Sequence, residues 1–116
     1  MFALLEHTTP LGVHWDLMIE TAPGSPLASW RLLGDPGRSS FPIPAERIAD
    51  HRNAYLTYEG PISGDRGSVR RIDAGDATLE FDTAHARIAL QGEHLRGKFE
   101  ISASDGSLIF TRALER

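Results

Sequence analysis

Val13-His14-Trp15-Asp16-Leu17-Met18-Ile19-Glu20 alternates without interruption: Val13, Trp15, Leu17 and Ile19 fall on one side, and His14, Asp16, Met18 and Glu20 on the other. That period of two is the signature of a β-strand with one face on an apolar core. Upstream, Phe2 to His7 predicts a first strand, joined to the second through the turn Thr8-Thr9-Pro10-Leu11-Gly12. Downstream, Ala22-Pro23-Gly24-Ser25-Pro26 predicts another turn and Leu27 to Leu33 a third strand. Gly34 to Pro44 is dense in Pro, Gly and Ser and predicts a loop, and Pro44 to Ala49 predicts a single helical turn opened by proline. After Tyr55-Leu56-Thr57-Tyr58-Glu59 and the loop Gly60 to Gly67 come the strand-like runs Ser68 to Asp73, Ala77 to Asp82, Ala86 to Gln91 and Arg96 to Ser102. Leu108 to Leu114 closes the chain, with Asp73-Ala74-Gly75-Asp76 and Asp105-Gly106-Ser107 as turn signals. Roughly eight short strands with tight turns predict an all-β protein: a small closed or partly closed antiparallel β-barrel with at most one short helix.

The 116 residues suit one domain, 1–116, so any chemistry has to share one scaffold. No cysteine is present, which excludes a disulfide framework, a thiolate metal site and a thiol nucleophile. Met1 to His7 has neither a basic n-region nor a long apolar run, and no later stretch approaches spanning length, so a soluble cytoplasmic protein without membrane attachment is expected. A net charge of −4 argues against strong non-specific attachment to duplex DNA. A local basic patch from Arg66, Arg70 and Arg71, extended by Arg96 and Lys98, is compatible with that sum, as is a set of scattered solvated charges.

Chemistry concentrates in Glu6-His7 and His14-Trp15-Asp16. Residues two apart on a strand share a face with Cα atoms roughly 6.5–7 Å apart, so the His14 imidazole and the Asp16 carboxylate can converge on one ion. Pairing across the turn brings His7 alongside. Two imidazoles and one carboxylate suit a borderline divalent metal such as Mn²⁺, Zn²⁺ or Fe²⁺. A bland alternative is a solvated His-x-Asp pair on an exposed sheet face.

Glu6-His7, His14-Trp15-Asp16-Leu17-Met18-Ile19-Glu20, Ser29-Trp30, Asp50-His51 with Tyr55, Tyr58-Glu59-Gly60 and Gly92-Glu93-His94-Leu95-Arg96-Gly97-Lys98-Phe99 form an ordered series over nearly the whole chain. The series resembles the landmarks of the 3′-phosphoesterase domain of bacterial DNA ligase D. The resemblance implies a compact β-barrel that trims damaged or ribonucleotide-bearing 3′ ends of nucleic acid as a Mn²⁺-dependent phosphodiesterase and phosphomonoesterase. It further implies His7, His14 and Asp16 as metal ligands, and His51 and Tyr55 as contacts to the scissile phosphate. On residue type alone, His51 is a polar loop histidine and Tyr55 a packed aromatic.

The series departs from the family at Met18, where the resemblance leads one to expect an arginine clamping phosphate from the same strand face as Asp16. A thioether cannot replace bidentate guanidinium contacts. Arg66 and Arg70 are the candidate substitutes, with Arg52 beside His51 as another. The chain also begins directly at its first strand and carries no polymerase or ligase region, so it reads as a stand-alone version, with a separate DNA ligase as candidate partner.

Two other readings compete. Met18 could mark a barrel that has lost catalysis and recognises a nucleic-acid end or a protein partner. Alternatively, His14 and Asp16 with His85 or His94 could form the facial triad of a non-haem iron oxygenase. Trp15, Trp30 and Phe99 predict core anchors rather than base-stacking platforms, and Glu59 is either a simple turn carboxylate or the acceptor that orients a ligand histidine.

Overall fold

A computed structural model describes residues 1–81 and 85–113. The described residues form nine strands: β1 (Phe2–Thr9), β2 (Gly12–Glu20), β3 (Leu27–Leu32), β4 (Ile43–His51), β5 (Gly60–Pro61), β6 (Ser68–Phe81), β7 (His85–Gln91), β8 (Arg96–Ser104) and β9 (Ser107–Arg112). Eight of them form a closed antiparallel barrel in the order β1-β2-β3-β4-β9-β8-β7-β6, sealed by pairing of β6 with β1, while the two-residue β5 adds to β6. Closure leaves the barrel proper without a free edge. A single 3₁₀ turn, Asn53–Leu56, follows β4. No described helix is long and apolar enough to cross a membrane. The predicted strand ends at Asp82 and Leu114 lie outside the described residues.

Alternation along each strand fills the interior with Phe2, Leu4, Leu17, Ile19, Trp30, Leu32 and Ile43 from one side and Leu90, Phe99 and Phe110 from the other. Phe99 and Phe110 stack with ring centroids 5.2 Å apart, and Trp15 packs partly buried against the same cluster. The tryptophans and Phe99 are thus core anchors, as expected.

Two local expectations are corrected. Pro44 to Ala49 forms no helical turn but belongs to β4. Ile43 and Ala45 both point into the barrel core, which a helical period would not allow, and Pro44, near the strand start, has no N–H to donate while its carbonyl accepts from the Leu33 N–H at 2.9 Å. The short helix therefore lies later, at Asn53–Leu56. Asp73 to Asp76 likewise makes no turn: β6 runs straight through it, pairing with β1 up to Gly75 and with β7 from Asp76. Gly75 marks a close approach of backbones, since a Cβ there would stand 2.1 Å from the Gln91 carbonyl oxygen.

A second, smaller core lies on the outer face of the barrel wall. Ala3, Leu5, Met18, Leu27 and Val69 are buried there beneath Tyr55, Leu56 and Ile62 of the connection between β4 and β6. The face of β2 that carries His14 and Asp16 points away from the barrel interior, as its sequence predicts. Yet it is not open to solvent at Asp16 and Met18, which are 3% and 0% exposed beneath that connection.

Candidate metal centre

The hairpin β1–β2 sets the first two donors. Its register pairs His7 directly with His14, and Thr9 Oγ1 braces the turn by donating to the Gly12 carbonyl and accepting from the Leu11 N–H. His7 Nδ1 and His14 Nε2 stand 3.0 Å apart. Asp16 presents Oδ1 at 3.2 Å from His14 Nε2 and Oδ2 at 3.4 Å from His7 Nδ1. Donors bound to one ion at about 2.0–2.2 Å are separated from one another by roughly 3.0–3.5 Å, so the spacing fits a shared cation. His7, His14 and Asp16 are the metal-capable group found among the described residues.

The protonation pattern fits as well. His7 Nε2–H donates to the Arg66 carbonyl at 2.7 Å, which leaves Nδ1 of the neutral ring with its lone pair toward Asp16 and His14. Arg66 reaches this place because Gly67, at φ +89°, lets the connection lie against β1; a Cβ there would come within 1.8 Å of the Thr8 carbonyl oxygen. Asp16 Oδ1 is buried and receives no hydrogen bond. A buried carboxylate oxygen without a donor is costly, and an ion shared with the two imidazoles would offset that cost.

The His14 imidazole is held below its ordinary range chiefly by burial, which the Asp16 carboxylate partly opposes, while Arg31 and His7 add to the lowering. The neutral ring is the metal-binding form. Because the folded value lies below the unfolded one, the stability contributed by His14 is complete above the unfolded value near 6.5 and is lost as pH falls through the folded value. The metal-free protein should therefore lose thermal stability as pH falls below 6.5, and His14→Gln should flatten that slope; equal slopes in melting curves of parent and variant would contradict it.

Next to the donors lies a hollow of about 330 Å³ lined by His7, Asp16, His51, Arg52, Tyr55 and Arg66, among others. It joins β1 and β2 to the end of β4 and the 3₁₀ turn. The buried Ser29 hydroxyl donates to the Leu27 carbonyl at 2.8 Å, so the 2.9 Å contact between Ser29 Oγ and His51 is a bond donated by His51 Nδ1–H. Neutral His51 then keeps its lone pair on Nε2. The ring packs edge-to-face on Tyr55 with centroids 5.5 Å apart, and Tyr55 packs in the same way on Tyr58. The turn carrying Tyr55 is fastened by Asn53, whose amide donates to Glu20 Oε2 at 2.7 Å and to the Ser25 carbonyl at 2.8 Å.

The fold thus gathers His7, His14, Asp16, His51, Tyr55 and Arg66 and leaves Arg70 out. Arg70 pairs with Glu6 on the opposite face of the wall, its guanidinium 3.1 Å from the Glu6 carboxylate. Arg66 is present, but its guanidinium is turned onto Ser63, and its carbonyl serves the site. Arg71 donates to the Leu56 carbonyl, so the three arginines do not form one patch. Glu59 accepts from the Arg71 N–H and fastens the connection to β6 instead of orienting a histidine. His85 is engaged with Glu100 at 3.0 Å, and neither His85 nor His94 joins the metal-capable group.

Two contributors were not legible as site residues. Ser29 stood out only as part of Ser29-Trp30, and its role depends on the β3–β4 register. Arg31 lies directly across from Asp16 in the β2–β3 pairing, on the same outer face. Neither a scan against protein-family models nor a search of the curated proteins returned a match.

Proposed function

We propose that this protein is a metal-dependent phosphoesterase that processes 3′ ends of nucleic acid bearing a 3′-phosphate or a 3′-ribonucleotide, a repair activity like that of the ligase D 3′-phosphoesterase domain it resembles. The observation that carries the reading is the convergence of His7, Asp16, His51 and Tyr55 on one hollow from separate parts of the chain. Mn²⁺ is the favoured ion, with Zn²⁺ or another divalent metal as substitutes; a separate DNA ligase in the cytoplasm is the partner this reading calls for.

His7 Nδ1, His14 Nε2 and Asp16 would hold the ion, which supplies Lewis-acid polarisation of a phosphoryl oxygen and acidification of a bound water. Arg66 keeps His7 in the donor tautomer through its carbonyl. His51, oriented through Nδ1 by Ser29, can accept a proton at Nε2 or, once protonated, donate to charge building on the phosphate or on the leaving oxygen. The Tyr55 phenol beside it supplies a neutral donor. The apolar roof of Leu56 and Ile62 limits water at that edge and strengthens these contacts.

The second reading, an end-binding module with weakened catalysis, is favoured by Met18, which is packed in the outer core where the resemblance leads one to expect a phosphate-clamping arginine. The two are separated by assaying metal-free protein, resupplied with Mn²⁺, Zn²⁺, Mg²⁺ or Fe²⁺ in turn, on a labelled primer-template ending in a 3′-ribonucleotide or a 3′-phosphate. Mn²⁺-dependent trimming is expected, and His51→Gln should lower it by about 100-fold. Metal binding without trimming under any ion would favour the binding module.

A further inference from the structure

Apart from Arg70, two of the described arginines near the metal donors, Arg66 and Arg47, are held by short hydrogen bonds. Arg66 donates to Ser63, and Arg47 donates to Ser29 and Ile48 carbonyls and to Asp50. Arg52 lies in the His51 hollow with its guanidinium 6.0 Å from the Tyr55 ring. Arg31 differs. Its contact to Glu46 is long, at 4.0 Å, and its Nε is buried without a hydrogen-bond partner.

Register explains why this matters. Arg31 is the cross-strand partner of Asp16, and Met18 is the next residue of β2 on the same face. A cross-strand neighbour stands about 4.5–5.5 Å from its partner and an i+2 neighbour about 6.5–7 Å, so a guanidinium on either position reaches the space above Asp16. Position 18 is sealed beneath Tyr55, Leu56 and Ile62, where a cation would be buried without a partner. Position 31 keeps 38% of its side chain exposed. It lines a second hollow of about 600 Å³, which shares His7 and Arg66 with the first, together with His14, the carboxylates of Glu46 and Asp65, and the exposed apolar residues Val13 and Leu33.

We infer that Arg31 is the phosphate-binding cation of this site, moved from the strand position held by Met18 to the neighbouring strand, so that an anionic substrate bridges the two hollows across the metal donors. This deepens the phosphoesterase reading and rests on it. One guanidinium edge would engage non-bridging phosphate oxygens, displacing the long contact to Glu46, while His51 and Tyr55 would approach the same phosphate from the first hollow. Val13 and Leu33 offer an apolar rim to the group attached beyond the phosphate.

The test compares parent, Arg31→Met and Arg31→Lys, each loaded with Mn²⁺. Trimming of the 3′-ribonucleotide primer is followed as kcat and KM, and binding of inorganic phosphate and of Mn²⁺ by calorimetry. Arg31→Met should lower kcat/KM by about 100-fold, and lysine should restore only part of it, because an ammonium lacks the paired donors. Phosphate affinity should fall in parallel while Mn²⁺ affinity is kept. Turnover and phosphate binding in Arg31→Met within about twofold of the parent would overturn the inference and leave the phosphoesterase reading standing. Parent protein that binds phosphate through Arg31 without turnover would support the subsite and overturn catalysis. Failure of the Mn²⁺-loaded parent both to trim the primer and to bind phosphate would overturn both.

Discussion

Replacing Asp16 with alanine is expected to abolish the stabilisation that divalent metal confers and, with it, any metal-dependent turnover. In the parent, an ion that binds only the folded chain raises stability by RT ln(1 + [M]/Kd), about 2.7 kcal/mol at a hundredfold excess over Kd. Asp16 supplies the only carboxylate of the donor set, and without its charge two neutral imidazoles should bind Mn²⁺ at least about 100-fold more weakly. The variant should nonetheless fold. Its side chain lies on the outer face of the wall, away from the barrel interior. Its removal gives up the 3.2 and 3.4 Å pairings with His14 and His7 and also relieves the burial of a charge, so the metal-free variant should stay folded with a modest change in stability. Melting curves with and without Mn²⁺ separate the two effects: the parent should shift upward with metal and Asp16→Ala should not. An equal metal shift in both would place the ion elsewhere and remove the basis for the proposed chemistry.

The largest loss of stability is expected at Asp73, a residue with no part in the metal centre. Its carboxylate is buried and accepts four backbone N–H groups: Ala74 at 2.9 Å and Glu93 at 2.8 Å on Oδ1, and His94 at 3.2 Å and Leu95 at 2.8 Å on Oδ2. Three of these come from the turn between β7 and β8, so one side chain of β6 holds that turn against the barrel end. Gly92 lies under the carboxylate, where a Cβ would meet its oxygens at 2.5–2.6 Å. Asp73→Ala leaves these donors unpaired in a poorly hydrated place, at a cost of about 3–5 kcal/mol. For a domain of this size that lowers the melting temperature by about 12–20 °C. Gly92→Ala should be destabilising in the same direction, by displacing the carboxylate from its donors. Urea unfolding of Asp73→Ala within about 1 kcal/mol of the parent would show that water replaces the carboxylate at little cost. The Gly92 to Phe99 part of the resemblance therefore has a structural reason: a glycine beneath a carboxylate, a turn held by it, and Phe99 in the core.

The parts of this protein legible from sequence are those decided over short distances along the chain. Strict alternation from Val13 to Glu20 determined that the segment is a strand, that Leu17 and Ile19 face the core and that His14 shares a face with Asp16; the short turn before it made His7 the neighbour of His14. These follow from a period of two and a tight hairpin, and neither depends on the rest of the chain. Pro44 and Gly75 misled because the same residues that punctuate turns and helices also serve at a strand start and at a close crossing of backbones, and only the partners tell the uses apart.

Tertiary structure alone decided which arginine lies across from Asp16, that Ser29 sets the tautomer of His51, that the Arg66 carbonyl orients His7, and that Asp73 caps a turn. Each of these rests on the register between paired strands, or on the path of the segment that roofs the outer face. A shift of one residue in such a pairing turns every side chain to the other face. Arg70 and Arg31 look alike in the sequence, yet β1–β6 pairing sends the first to Glu6 while β2–β3 pairing sets the second across from Asp16. That choice is made by burial of the whole barrel core, which no single segment carries.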